Sequence, residues 1–119
     1  MNSEDMAQLV VTTLDANKAL AISNIDVHKL TNIADRIIVC TATSNRHAQS
    51  LAEKVLRTLR EQGIRSLGSE GREGDDQWVL IDFGDVIAHI MLEEARQLYS
   101  LEKLWGIAER VREKSANEH

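Results

Sequence analysis

The chain has 119 residues, 43% of them apolar and 28% charged, enough to bury one core without disulfide or metal staples and too apolar for a disordered segment. No run approaches the roughly 18 to 20 consecutive apolar residues of a membrane-spanning helix, and the acidic start Met1-Asn2-Ser3-Glu4-Asp5 has neither the basic nor the apolar region of a secretory signal. A formal charge of −5 disfavours direct wrapping of nucleic acid, which needs a cationic excess, and suits a basic protein partner.

Ser3 is placed to cap a helix over about residues 4 to 20, with Glu4 and Asp5 in its first turn and Met6, Leu9, Val10 and Leu14 along one apolar stripe. Residues 25–30 alternate apolar and polar side chains, and residues 36–41 are a β-branched run, so two strands are predicted. Ser44 then precedes a helix over residues 45–62, where Ala48, Leu51, Ala52, Val55, Leu56 and Leu59 recur at helical spacing before Gly63 stops it. Residues 70–76 combine glycines with charges and predict an exposed loop. Strands over residues 78–83 and 85–91 follow, joined by a tight hairpin at Gly84.

From Glu93 to about Lys114 helical character returns, with Ser100 placed to cap a second segment. The absence of proline and the scatter of six glycines mark no linker, so residues 1–119 are expected to form one domain with residues 106–119 as a helical tail. This order predicts an α/β fold of the α+β kind, a mixed β-sheet with flanking helices.

If Phe83 and Gly84 are the turn residues, Asp82 lies opposite Asp85, Leu80 opposite Ile87 and Trp78 opposite His89, all on one face. The other face carries Val79, Ile81, Val86, Ala88 and Ile90 and reads as core. The mixed face fits two readings that the residues do not separate. It is either an interaction surface centred on Trp78, or a layer in which Trp78 lies under a helix with His89 as its satisfied neighbour. The spacing of Tyr99, Leu101, Leu104 and Trp105 is equally compatible with core and with contact surface.

Little in the chain carries catalytic chemistry. His28, His47, His89 and His119 lack metal-ligand spacing with one another and with the single cysteine, Cys40, which sits in an apolar strand and reads as a small buried hydrophobe. A lone cysteine forms no intrachain disulfide, which fits the reducing cytoplasm. Asp82-Phe83-Gly84 matches the magnesium triplet of kinases, but three residues in so short a chain carry no weight. Gly68-Ser69 followed by Asp82 has the outline of a nucleotidyltransferase site, whose second carboxylate would fall at position 84; Gly stands there, and Asp85 points to the opposite side of a continuing strand. A diverged enzyme using Asp82 and Asp85 with a divalent metal is the competing reading.

Taken in order, Asp26, Asp35, the run Cys40-Thr41-Ala42-Thr43-Ser44-Asn45-Arg46-His47, Glu70-Gly71, the block from Trp78 to His89 and the block from Glu93 to Trp105 resemble the ribosomal silencing factors, or Iojap family, over about residues 26–105. The resemblance implies a nucleotidyltransferase-like fold without its catalytic residues, no cofactor and no catalysis. It implies binding to the large ribosomal subunit at ribosomal protein number fourteen, where the protein blocks association with the small subunit and represses translation, and it implies a homodimer. Carried onto matching positions, the partner-binding residues are Trp78, Asp82, His89, Arg96, Tyr99, Leu101 and Trp105. Trp78 and Tyr99 are expected as apolar anchors, and Asp82 and Glu94 as acids facing basic groups of the partner.

Overall fold

The computed structural model describes residues 1–71, 77–98, 106, 109–110 and 112–113. Within them the chain runs α1 (Ser3–Ala16), β1 (Leu20–Asp26), β2 (Arg36–Ala42), α2 (Asn45–Glu61), β3 (Gly68–Glu70), β4 (Trp78–Asp82), β5 (Val86–Leu92) and α3 (Glu93–Leu98). The strands form one mixed sheet in the order β1-β2-β5-β4-β3, in which β2 and β5 are parallel and the other neighbours antiparallel. The expected mixed sheet with flanking helices is what the chain forms.

The ends of α1 differ from expectation at both sides. Its cap is Asn2 rather than Ser3: Asn2 Oδ1 accepts from the Asp5 amide at 2.8 Å, one residue earlier than the hydroxyl would allow. The helix stops at Ala16, not near residue 20, because Lys18 turns left-handed at φ +70°. The amides of Lys18 and Ala19 then close on the Asp15 and Leu14 carbonyls at 3.2 and 3.0 Å, a Schellman turn built without glycine. Helix α2 matches its prediction closely. Ser44 Oγ accepts from the His47 amide at 3.0 Å, and Gly63, at φ +80°, lets the Gly63 and Ile64 amides close on the Arg60 and Leu59 carbonyls, both at 2.9 Å.

Strand β1 was expected over residues 25–30 but ends at Asp26, and residues 28–30 are a turn in which the Leu30 amide reaches the Val27 carbonyl at 2.9 Å. The true strand is an edge strand, half exposed along its length and broken by an irregular register between Leu20 and Ser23 where Ala21 has φ +48°. Such a strand leaves little apolar alternation to read. Strand β3 was not anticipated; with only three residues it docks on β4, Gly68 opposite Asp82 and Glu70 opposite Leu80. Glu70 therefore closes a strand instead of opening a loop, and residues 72–76 of the expected loop lie outside the described residues.

The hairpin pairs Trp78 with Met91, Leu80 with His89 and Asp82 with Ile87, two positions further along β5 than expected, because Gly84 and Asp85 make the turn while the Phe83 amide bonds the Val86 carbonyl at 2.9 Å. A shift of two leaves every side chain on its own face, whereas a shift of one would have inverted them. Val79, Ile81, Val86, Ala88 and Ile90 accordingly join Ile38 and Cys40 under α1 and α2 in the main core. Cys40 is 0% exposed there, and burial pushes its thiol up to about 12, so it is an inert hydrophobe at neutral pH.

Candidate functional site

The opposite face of the sheet carries Trp78, Leu80 and Asp82 from β4, Ile87, His89 and Met91 from β5, and Ile37, Val39 and Thr41 from β2. Among the described residues the buried polar side chains are Thr41, Asp82 and His89, and all of them lie on this face. Each holds a half-buried side chain: Thr41 holds Arg96, His89 holds Trp78, and Asp82 holds Arg112.

Asp82 is 0% exposed and ends β4 beside the turn. Its Oδ1 accepts from the Gly84 amide at 2.8 Å, and both oxygens accept from Arg112, Oδ2 from Nε and Oδ1 from Nη2, each at 2.8 Å. Arg112 also donates to the Ile33 carbonyl at 2.6 Å and to that of Gly84 at 2.9 Å, tying the loop before β2, the hairpin turn and the C-terminal segment together. The bidentate carboxylate raises the guanidinium pKa against the opposing effect of burial. Asp82, expected to face a partner's cation, thus faces a cation of its own chain. Asp85 is exposed in the turn, and its charge adds to that of Asp82 in raising the Arg112 pKa. Among the described residues no three His, Cys, Asp or Glu gather as metal ligands would.

Trp78 is half-buried and packs on Val27, Ile37, Val39, Met91 and Ala95. Its indole N–H donates to His89 Nδ1 at 3.0 Å, the two rings 5.5 Å apart and tilted by 48°. Because the indole can only donate, Nδ1 must be unprotonated and the neutral ring carries its hydrogen on Nε2, which has no partner among the described residues. Complete burial explains why the His89 pKa falls to about 3. Behind Trp78, Gly71 has φ +82°, and a Cβ there would come within 2.1 Å of the Trp78 carbonyl oxygen. Only glycine fits that position, which accounts physically for the Glu70-Gly71 pair in the motif.

Arg96 is half-buried on α3 and reaches back to the irregular start of β1, donating to the Ala21 carbonyl, to Thr41 Oγ1 at 2.9 Å and to Ser23 Oγ at 3.2 Å. Its guanidinium is therefore spent within the chain. Glu94 is exposed and accepts from Gln77 Nε2 at 3.1 Å, next to Trp78 in the chain. Tyr99, Leu101 and Trp105 lie outside the described residues. The structure thus brings Trp78 and His89 together and sets Glu94 nearby, while Asp82 and Arg96 turn inward.

Arg112 is the residue that sequence reasoning missed. The signal for it was indirect: a carboxylate on a strand covered on both faces requires a cationic partner, and the tail supplies arginines. His47 has a structural part as well. Its Nδ1 accepts from the Thr43 amide at 3.0 Å and its Nε2 meets the Asn17 carbonyl at 3.0 Å, joining the start of α2 to the end of α1.

Fold and face together define an α+β domain around a mixed sheet, with a tethered, half-buried tryptophan on the side of the sheet away from α1 and α2. The family described as "Ribosomal silencing factor during starvation" matches the chain over residues 1–119. The chain is 41% identical over 106 residues to a ribosomal silencing factor of Chromobacterium violaceum, covering 89% of this chain and 86% of that one. A crystal structure of a protein from the same organism superimposes with a TM-score of 0.82 at 40% identity, covering 89% of this chain and 88% of that chain. A mouse relative, "Mitochondrial assembly of ribosomal large subunit protein 1", is 32% identical over 102 residues, 83% of this chain but 44% of that longer protein. The chain belongs to the ribosomal silencing factor family.

Proposed function

We propose that the protein binds the large ribosomal subunit at ribosomal protein number fourteen and, by covering the surface that the small subunit must meet, prevents subunit association and represses translation in the cytoplasm. The observation that carries this reading is Trp78, a half-buried indole held in one orientation by His89 on the face away from α1 and α2, beside the exposed Glu94. An aromatic anchor fixed before binding loses little side-chain entropy on docking, and acids at its rim suit a basic ribosomal protein. The name of the mouse relative, which refers to assembly of the large subunit, supports the same address. His89, Asp82 and Arg96 serve this surface from within, as supports for what it presents. The family resemblance adds Tyr99, Leu101 and Trp105 to the contact residues, and a second copy of the chain is the alternative occupant in a homodimer.

The mechanism is occupancy without turnover. The fraction of subunits withheld depends on the concentration of the protein relative to its dissociation constant, so no cofactor or reaction enters. The test is sedimentation of the protein with separated ribosomal subunits, wild type against Trp78→Glu, with melting curves to show that both fold. Wild type is expected to travel with the large subunit and reduce joined ribosomes, and the variant to lose at least about 30-fold in affinity, as a central anchor does. Normal joining in excess wild-type protein would sink the proposal.

A further inference from the structure

The charge of the chain is unevenly spread. Residues 45–66 hold Arg46, Lys54, Arg57, Arg60 and Arg65 against Glu53 and Glu61, a net charge of +3 within a chain of −5. Lys54 is engaged with Asn17 Oδ1 at 2.8 Å. Arg57, Arg60 and Arg65 are exposed and make no hydrogen bond or ion pair among the described residues. They surround a hollow of about 400 Å³ lined by Leu56, Arg60, Ile64, Arg65 and Ser66, adjoining one of about 250 Å³ lined by Glu53, Leu56, Arg57 and Arg60.

The hollow follows from the backbone. The turn at Gly63 folds the chain back on the last turn of α2, placing Arg65 and Ser66 beside Arg60 over an apolar floor of Leu56 and Ile64. A cation near a helix C-terminus needs no ligand to explain it, since the helix dipole favours it; that accounts for Arg60 but not for Arg57 or Arg65. The feature also lies on the side of the sheet away from Trp78, because α2 covers the face that carries Val79 and Ile81.

We propose that Arg57, Arg60 and Arg65 form a binding site for the phosphodiester backbone of RNA, a contact separate from the Trp78 face. Unpaired guanidiniums recognise phosphate by paired hydrogen bonds as well as by charge, and the Ser66 hydroxyl adds a donor at the edge of the hollow. The anion chemistry stands on the geometry alone, whereas the choice of RNA rests on the ribosomal reading above. The site is local, so the overall negative charge, which opposes wrapping of a nucleic acid, leaves it intact.

The test measures anisotropy of a short labelled RNA duplex with the full chain, with Arg57→Gln/Arg60→Gln/Arg65→Gln and with Trp78→Glu, using polyglutamate as competitor. Two to three phosphate contacts predict that wild-type affinity falls about 12- to 40-fold between about 50 and 200 mM salt. The triple variant, whose exposed substitutions leave the melting temperature unchanged, should bind weakly with an almost flat salt dependence, and Trp78→Glu should bind RNA as wild type does. RNA affinity equal in wild type and triple variant, or polyglutamate displacing RNA at equal charge, overturns the site. Failure of wild type to sediment with the large subunit overturns the ribosomal reading instead and leaves the RNA result to decide this one.

Discussion

The two faces of the sheet are built on different principles. Under α1 and α2, Ile38, Cys40, Val79, Ile81, Val86, Ala88 and Ile90 meet helix residues such as Leu51, Val55 and Leu59, an apolar layer in which shape and volume decide. The other face also buries aliphatic groups, but threads among them Thr41, His89 and Asp82, each bonded to a longer side chain that reaches outward. The first face makes the fold stable. The second uses buried polar atoms to fix where Arg96, Trp78 and Arg112 stand, which matters for a surface that must be ready before its partner arrives.

Substitutions on the two faces should separate stability from binding. The largest loss is expected at Leu51→Ala, which removes a side chain 1% exposed beneath α2 and should cost about 3 kcal/mol in urea unfolding. Where the variant is still folded, its affinity for large subunits should equal that of wild type; a matching loss of affinity would mean that the two faces are not independent. Arg112→Ala comes next. It leaves the Asp82 carboxylate, 0% exposed, with only the Gly84 amide among the described residues, and should cost about 2.5 kcal/mol, somewhat below a fully buried pair because Arg112 is itself 32% exposed. Replacing both residues, as Asp82→Leu with Arg112→Met, should recover part of that loss. A double variant no better than Arg112→Ala would show that Asp82 is not the strained group.

The sequence showed the faces better than the pairings. Side-chain parity alone separated Val79 and Ile81 from Trp78 and Asp82, and it survived a register error of two because alternation repeats at that interval. Strong apolar periodicity located α2, and β-branched residues located β2 and β5. What stayed hidden was set by distant or weak interactions. Strand β1 is an exposed edge, β3 has three residues, and the Lys18 turn uses a residue that is no αL signal. Asp82 was expected to face a partner and His89 fitted core and surface alike, because a strand buried on both sides carries no mark of which polar residues find partners inside. Arg112 is thirty positions from Asp82, and no local pattern joins them.

The smallest effect is a pH dependence on the face away from α1 and α2. His89 is neutral in the fold with a pKa of about 3, whereas in the unfolded chain an imidazole titrates near 6.5. Between those values the unfolded state binds the proton and the native state does not, so stability is full above about pH 7 and declines as pH falls through 6.5 toward 3. The expected contribution is about 2 kcal/mol lost between pH 7.5 and 5, with a slope limited to about 1.4 kcal/mol per pH unit. Urea unfolding of wild type and His89→Gln over that range measures it as the difference in slope, since other titrating groups are common to both. Val79→Ala, on the apolar face, should shift the curve down without changing its shape. Equal slopes for wild type and His89→Gln would mean that the ring is protonated or solvated in the native protein, and the fixed orientation of Trp78 would lose its cause.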